Sequence, residues 1–433
     1  MKASLRVLGL AVLGLGFGLP ASGQDMARVR RTIDYLASPR LHGRGYVRGG
    51  DAKAADFLVR RFAELGLEPL APNFRQPFTL TVNTFPDRLI LRVDGQTLRP
   101  GYDFIADPIS GGGRIEGPVT PLDSLIFTDE AAGRRFLAQP LERHIVVLRQ
   151  RDADRLRTLP DEFARHLAQA AALITLVPDK LTASVADRQA PQPQLRVLAS
   201  RWPATARRAK LDVTARLARN YRSQNVLGLV RGSTQPDSLL VITAHYDHLG
   251  RMGGRTYFPG ANDNASGTAL LLELAAHFAR PENRPAYSIA FMAFGAEEAG
   301  LLGSRHFVAQ PLVALPRIRF LLNLDLAGTG QDGLTVVNGR IHERAYQQLV
   351  RLNDQGRYVP SIAARGKAAN SDHYPFSEAG VPAFFVYQRG TPSFYHDVLD
   401  RAATLPLTGF PGAFQLLTAF LRLQGGAPAG AAR

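Results

Sequence analysis

The stretch "GANDNASGTALLLELAAHF" (residues 260–278) sets a carboxylate, Asp263, at the start of a predicted helix. Leu270, Leu271, Leu274 and Phe278 follow as an apolar stripe at helical spacing. Aspartate is a favoured N-cap, so the segment alone reads as an ordinary helix start. Two asparagines and two glycines around the carboxylate are more than a cap requires. What Asp263 does therefore depends on what the rest of the chain brings to it.

Around this helix the pattern alternates between apolar strands and helices, beginning near "NVLGLVRG" (225–232). The strand candidates are "SLLVITA" (238–244), "YSIAFMAF" (287–294), "RFLLNL" (319–324) and "PAFFVY" (382–387). Near-continuous apolar runs suit strands buried on both faces, and helices between them imply an α/β fold with a mostly parallel central sheet. Each run leads into polar residues. The first delivers His245, Tyr246, Asp247 and His248; the second leads through Gly295 to Glu297 and Glu298. The third carries Asn323 and ends at Asp325, and the fourth precedes a loop holding Tyr395 and His396. Open α/β sheets bind ligands at the carboxyl ends of their strands, so these groups are expected to converge.

The chain of 433 residues contains no cysteine, which leaves histidine and carboxylates to hold any metal. Lys2 and Arg6, the apolar run Val7 to Leu19 and "PASG" (20–23) read as a secretory signal covering residues 1–23. Its apolar core is too short to span a bilayer comfortably. Export to the periplasm or the extracellular medium is expected, with no membrane span after the signal is removed. The formal charge of +15 is mostly arginine scattered along the chain. Nucleic-acid binding calls for a clustered basic face with interleaved aromatics, so no nucleic-acid partner is expected. The sequence sets no oligomeric state.

Residues 28–36 and 51–65 read as helices, the second stopped by Gly66. Residues 85–220 have a different texture. "RLILRVDGQTL" (88–98) reads as a hairpin turning at Asp94-Gly95, and "HIVVLRQ" (144–150), "AALITLV" (171–177) and "KLDVTARL" (210–217) read as strands. This stretch is expected to be an inserted α+β domain with no chemistry of its own, shaping substrate access and leaving the chemistry alone. It would interrupt a domain made of 24–84 and 221–425. The tail 426–433, in "GGAPAGAAR", has a disordered composition.

Five motifs together carry a resemblance: "HYDHLG" (245–250), "GANDNASG" (260–267), "AFGAEEAGLLGS" (293–304), "NLDLAG" (323–328) and "FYHDVLD" (394–400). They resemble the co-catalytic di-zinc aminopeptidase family, which also contains glutamate carboxypeptidase II, glutaminyl cyclase and the transferrin receptor. The amino-terminal "YLASPRLHGRG" (35–45) with the helix after it resembles the family's first segment, and 85–220 resembles its protease-associated domain more loosely. Leu326 stands where the family often has methionine, a difference of packing and not of ligation.

The resemblance implies one metal held by His245 and Asp325, another by Glu298 and His396, and Asp263 bridging the two. Nitrogen and carboxylate donors in this ratio suit two Zn²⁺ per chain, with Mn²⁺ or Co²⁺ able to substitute. Asp247, two residues from His245, is placed to accept the spare imidazole N–H. With Glu298 as a ligand, the adjacent Glu297 is free to act as general base and to protonate the leaving amine. The resemblance further implies that Tyr395 hydrogen-bonds the developing oxyanion. His248 and His373 read as structural or rim histidines.

The implied substrates are peptides with a free amino terminus. Glu297 and Asp247 would be carboxylates to spare for that amine, and the nearest cations, Arg305 and Arg389, read as isolated surface residues. Carboxypeptidase action, one-metal glutaminyl cyclase and a non-catalytic binding module remain alternatives within the same fold.

Overall fold

A computed structural model describes residues 23–426. The expected signal (1–23) and the expected disordered tail (426–433) lie almost wholly outside the described residues. The chain builds a mixed α/β fold around a nine-stranded sheet. Its main strands are β1 (Arg75–Thr84), β2 (Arg216–Val230), β3 (Gln235–His245), β4 (Tyr287–Phe294), β5 (Ile318–Leu324), β6 (Gly333–Val337), β7 (Ile362–Ala364) and β8 (Ala383–Arg389). From β2 inward the order is β2-β4-β3-β5-β8-β6-β7, with β1 antiparallel to β2. The central four, β4, β3, β5 and β8, are parallel, and β2 and β6 flank them antiparallel.

Strand periodicity explains why these apolar runs are buried on both sides. Leu240, Ile242 and Ala244 of β3 and Ile289, Phe291 and Ala293 of β4 face one layer. That layer is formed by the helices Met26–Leu36, Gly50–Glu64, Gly267–Phe278 and Phe410–Gln424. The alternate residues Leu239, Val241, Ala290, Met292 and Phe294 face Phe307 and Phe376 on the helices Leu302–Ala309 and His373–Glu378. The helix Gly267–Phe278 is buried along its whole length, as expected for one packed under a sheet and covered by other helices.

A second, eight-stranded sheet spans residues 89–213. The expected hairpin forms, with Leu89–Val93 antiparallel to Gln96–Leu98 and Asp94 and Gly95 both at positive φ. "KLDVTARL" does not form one strand. Arg208–Val213 belongs to the second sheet and Arg216–Val230 to the first. The apolar alternation runs on across Thr214 and Ala215, so the pattern hides the change of sheet. Residue 220 thus lies inside the continuous strand β2, next to a register shift between Ala218 and Tyr221. The core of the second sheet also takes in Leu249, Met252 and Phe258 from the loop after β3, and Val398 from the loop after β8. The two sheets therefore meet at the ends of the strands where the polar motifs lie.

A close backbone approach fixes the amino-terminal segment against the same end. A Cβ on Gly45 would lie 2.5 Å from the Cα of Gly250, so "HGRG" and the end of "HYDHLG" require glycine at their crossing.

Candidate metal centre

The strand ends bring all five expected ligand residues into one buried cluster. β3 ends on His245, Asp325 directly follows β5, and Glu298 lies four residues past β4. His396 comes from the loop after β8. Ala296, Leu326 and His396 adopt left-handed φ of 57°, 55° and 58°, a conformation costly for non-glycine residues and held only where the surroundings enforce it.

Asp263 stands between two groups. On one side, His245 Nε2 lies 3.3 Å from Asp263 Oδ1 and 3.4 Å from Asp325 Oδ1. On the other, His396 Nε2 lies 3.3 Å from Asp263 Oδ2 and 3.0 Å from Glu298 Oε2. Each carboxylate oxygen of Asp263 thus faces a different histidine–carboxylate pair. Buried Asp263 Oδ2 and Asp325 Oδ1 accept no hydrogen bond. Stranded carboxylate oxygens are expensive in a protein interior, and a cation on each side of Asp263 would satisfy them. The donor chemistry, one imidazole nitrogen and two carboxylates per side, fits two divalent ions.

Asp263 does not cap the helix. It lies in an irregular turn, Ala261–Ser266, with extended φ and ψ of −110° and 98°, and the helix begins at Gly267. Asn264 takes the capping role, since its Oδ1 accepts the Gly267 N–H and its Nδ2 donates to the Leu324 carbonyl. Asn262 Oδ1 accepts from the Gly328 N–H. The asparagines therefore tie the turn to the end of β5. Asp400, the last residue of "FYHDVLD", accepts from the Asn262 and Asp263 amides. Its role carried no signal beyond that motif.

Asp247 departs from expectation. Its carboxylate lies 3.8 Å from His245 Nδ1, and the nearer acceptor is its own backbone carbonyl at 3.2 Å. The carboxylate instead accepts the Glu297 and Glu298 amides at 3.1 and 3.3 Å and the Tyr46 hydroxyl at 2.9 Å. It holds the paired glutamates in place, and burial pushes its pKa up to about 7. Wholly buried and occupied by three donors, it is not spare for a substrate amine.

Glu297 lines the cleft with His245 and Asp325, and burial raises its pKa well above the usual carboxylate range. Burial works the same way on Glu298, but His396 and the hydrogen bonds from His248 and His396 hold it down at about 2. The neighbouring glutamates therefore differ sharply in proton affinity. His248 is no rim residue. It is buried, and its Nδ1 pairs with Glu298 Oε1 at 2.7 Å. His373 is buried beside Phe385, outside the cluster.

Tyr395 is 47% exposed, and its ring stacks on His396 with centroids 3.8 Å apart. It borders both lobes of the cleft. The second sheet, formed by residues within and around 85–220, also reaches the site. The Ala183 carbonyl accepts from His396 Nδ1 at 2.8 Å, and Lys180 Nζ donates to the Tyr395 carbonyl at 2.6 Å. Both lie in the loop between the strands Ala172–Val177 and Gln194–Leu198. A backbone carbonyl carries no residue signature, so the sequence gives no hint of this contact.

Arg44 holds the other side. Fully buried, its guanidinium donates to the carbonyls of Leu36, Tyr246, Pro259, Gly260 and Asp263 at 2.7–3.2 Å. It fastens the segment between His245 and Asp247 to the turn carrying Asp263. Burial lowers its pKa to about 10, while Asp263, Asp400, Asp247 and Glu298 act to raise it. It therefore stays cationic near neutral pH and offsets part of the site's negative charge.

Arg44→Met removes all five of these hydrogen bonds and is expected to weaken metal binding about 10- to 100-fold, the usual cost of losing a ligand's support. Arg44→Lys is expected to recover little of this, since an ammonium has three donors for five acceptors. Metal titration of the folded variants checks both. Affinity in Arg44→Met equal to the parent's would contradict the role.

Residues 225–420 match the model of peptidase family M28. Aminopeptidase YwaD of Bacillus subtilis (strain 168) is 36% identical over 179 residues, 37% of this chain and 35% of the relative. Leupeptin-inactivating enzyme 1 of Streptomyces exfoliatus is 32% identical over 148 residues, 34% of this chain and 32% of the relative. The matches thus span about a third of the length of these curated relatives. Among solved structures, the zinc aminopeptidase BSAP from Bacillus subtilis superimposes with a TM-score of 0.65 at 21% identity, covering 91% of this chain and 93% of that one, a likeness of fold. All five candidate ligand residues lie inside the stretch 225–420, which is similar to peptidase family M28.

Proposed function

We propose that the protein is an exported aminopeptidase that uses two zinc ions to remove amino-terminal residues from peptides. The observation that carries the reading is Asp263, whose two oxygens face two separate histidine–carboxylate pairs. In this reading His245 and Asp325 hold one ion, His396 and Glu298 the other, and Asp263 both. Manganese or cobalt could stand in for zinc. Two such ions, when bound, supply Lewis-acid polarisation of the scissile carbonyl and a more acidic water. The printed names of the relatives, an aminopeptidase and a leupeptin-inactivating enzyme, support peptide hydrolysis, and the zinc aminopeptidase fold supports the metal.

The chain's own residues would do the rest. Glu297, open to the cleft and with raised proton affinity, takes a proton from the attacking water and returns it to the leaving amine. Asp247 keeps Glu297 and Glu298 at their different tasks by holding both amides. Tyr395 presents its hydroxyl to the charge that develops on the carbonyl oxygen. With Asp247 occupied, the free α-amine is drawn by Glu297 and the field of the ligand carboxylates. The second sheet, read as a protease-associated-like insert within 85–220, borders the cleft and steadies His396 through Ala183. Export rests on the amino-terminal signal pattern. No helix among the described residues is long and apolar enough to cross a membrane.

The paired glutamates are expected to separate by role. Glu297→Gln retains both metals and loses about 10²- to 10⁴-fold in kcat, while Glu298→Ala loses metal affinity. Metal analysis beside single-turnover rates distinguishes them, and equal metal loss in both variants would overturn the assignment.

The substrate end is tested with one peptide, free or acetylated at its amino terminus. Release of the first residue from the free peptide only is expected, by mass spectrometry of the products. Cleavage of the acetylated form at a similar rate, or release from the carboxyl end, would replace the aminopeptidase reading with another hydrolase of the same fold.

A further inference from the structure

The cleft in front of the ligand residues has a lobe of about 250 Å³ bordered by His245, Glu297, Leu326, Phe385, Tyr387 and Arg365. Its walls away from the cluster are apolar or aromatic, apart from Arg365 and Asn370 at the rim. Arg365 is exposed there and has no carboxylate partner among the described residues; its Nη1 donates to the Tyr387 hydroxyl at 3.2 Å. The position is set by the sheet. Arg365 directly follows β7, and its amide donates to the Val336 carbonyl of β6 at 2.8 Å. Tyr387 lies on β8, the other neighbour of β6. One guanidinium edge is thus braced by a strand residue, and further N–H donors remain for a ligand.

The adjoining lobe carries a second guanidinium, Arg389, across Tyr387. Arg389 is anchored on Ser361 and has a buried Nε without an acceptor. A cleft whose floor is rich in carboxylates therefore has cationic donors on its far rim. Such a field is bipolar: it draws a substrate's ammonium inward and a carboxylate outward, toward the rim.

We propose that Arg365 is a specificity-determining residue that binds a carboxylate carried by a substrate residue next to the scissile bond. The planar guanidinium suits that group, because it can donate two parallel hydrogen bonds to a carboxylate. The carboxylate has two possible sources, the free α-carboxylate of a dipeptide or the side chain of an acidic residue. This rests on the exopeptidase reading for the position of the substrate, while the binding of the carboxylate itself is measured without turnover.

The test uses the zinc-loaded Glu297→Gln protein, in which binding is read by calorimetry. Leucyl-glycine is compared with leucyl-glycinamide, and glutamyl-glycinamide with glutaminyl-glycinamide. The acid of at least one pair is expected to bind at least tenfold tighter than its amide, and the pair that discriminates identifies the source. Adding Arg365→Gln is expected to reduce that ratio to below about threefold, and Arg365→Lys to retain part of it, since lysine keeps the charge without the fork. The same ratio taken as kcat/KM in the otherwise unaltered enzyme is expected to fall in parallel, through KM. Equal binding of acid and amide, or a ratio unmoved by Arg365→Gln, would overturn the proposal. If carboxylate discrimination persists and depends on Arg365 while the parent releases no amino-terminal residue, the exopeptidase reading fails and the carboxylate site stands.

Discussion

Five carboxylates, those of Asp247, Asp263, Glu297, Glu298 and Asp325, converge at the ends of four neighbouring parallel strands, and most of this negative charge is out of water. Like charges at such distances cannot all stay ionised without compensation. The surrounding structure answers that constraint in several ways. His245, His248 and His396 face the carboxylates, and Arg44 adds a permanent positive charge beneath them. Asp247 is satisfied by two amides and a hydroxyl. What remains uncompensated is concentrated on Asp263 and Asp325, on the oxygens that accept no hydrogen bond, and these are the oxygens that the proposed function gives to metal.

Topology supplies the precision. Parallel strands β4, β3, β5 and β8 end at one level, so residues far apart in sequence meet without a long loop carrying them. The turn holding Asp263 is fixed from three directions: by Asp400 from the loop after β8, by Arg44 from the amino-terminal segment and by Asn264 on β5. His396, seven residues past the end of β8, is steadied from the second sheet by Ala183. The second sheet is accordingly part of the site's architecture.

Much of this was legible in the sequence because strand ends advertise themselves. Apolar runs such as "SLLVITA" and "RFLLNL" locate the strands, and the polar residue that follows locates the site. The supports were less visible for a physical reason. Arg44 works through carbonyl acceptors and Ala183 through its own carbonyl, and neither interaction depends on the identity of the partner residue. Asp247 sits where an extended strand would point it at His245, but the chain leaves the strand after His245, which turns the carboxylate toward the glutamate amides. Arg365 is separated from every motif in sequence and reaches the cleft only because β7 pairs with β6. "KLDVTARL" misled because alternation continues across the point where the chain changes sheets.

The central claim is that Asp263 joins two metal positions into one centre. Titration of zinc into the metal-free protein by calorimetry, in the parent and in Asp263→Ala, tests it most directly. The account predicts two ions per chain in the parent and at least tenfold weaker binding of both in the variant. Saturation of the parent at a single ion, or a variant that keeps full affinity for one of two, would contradict it.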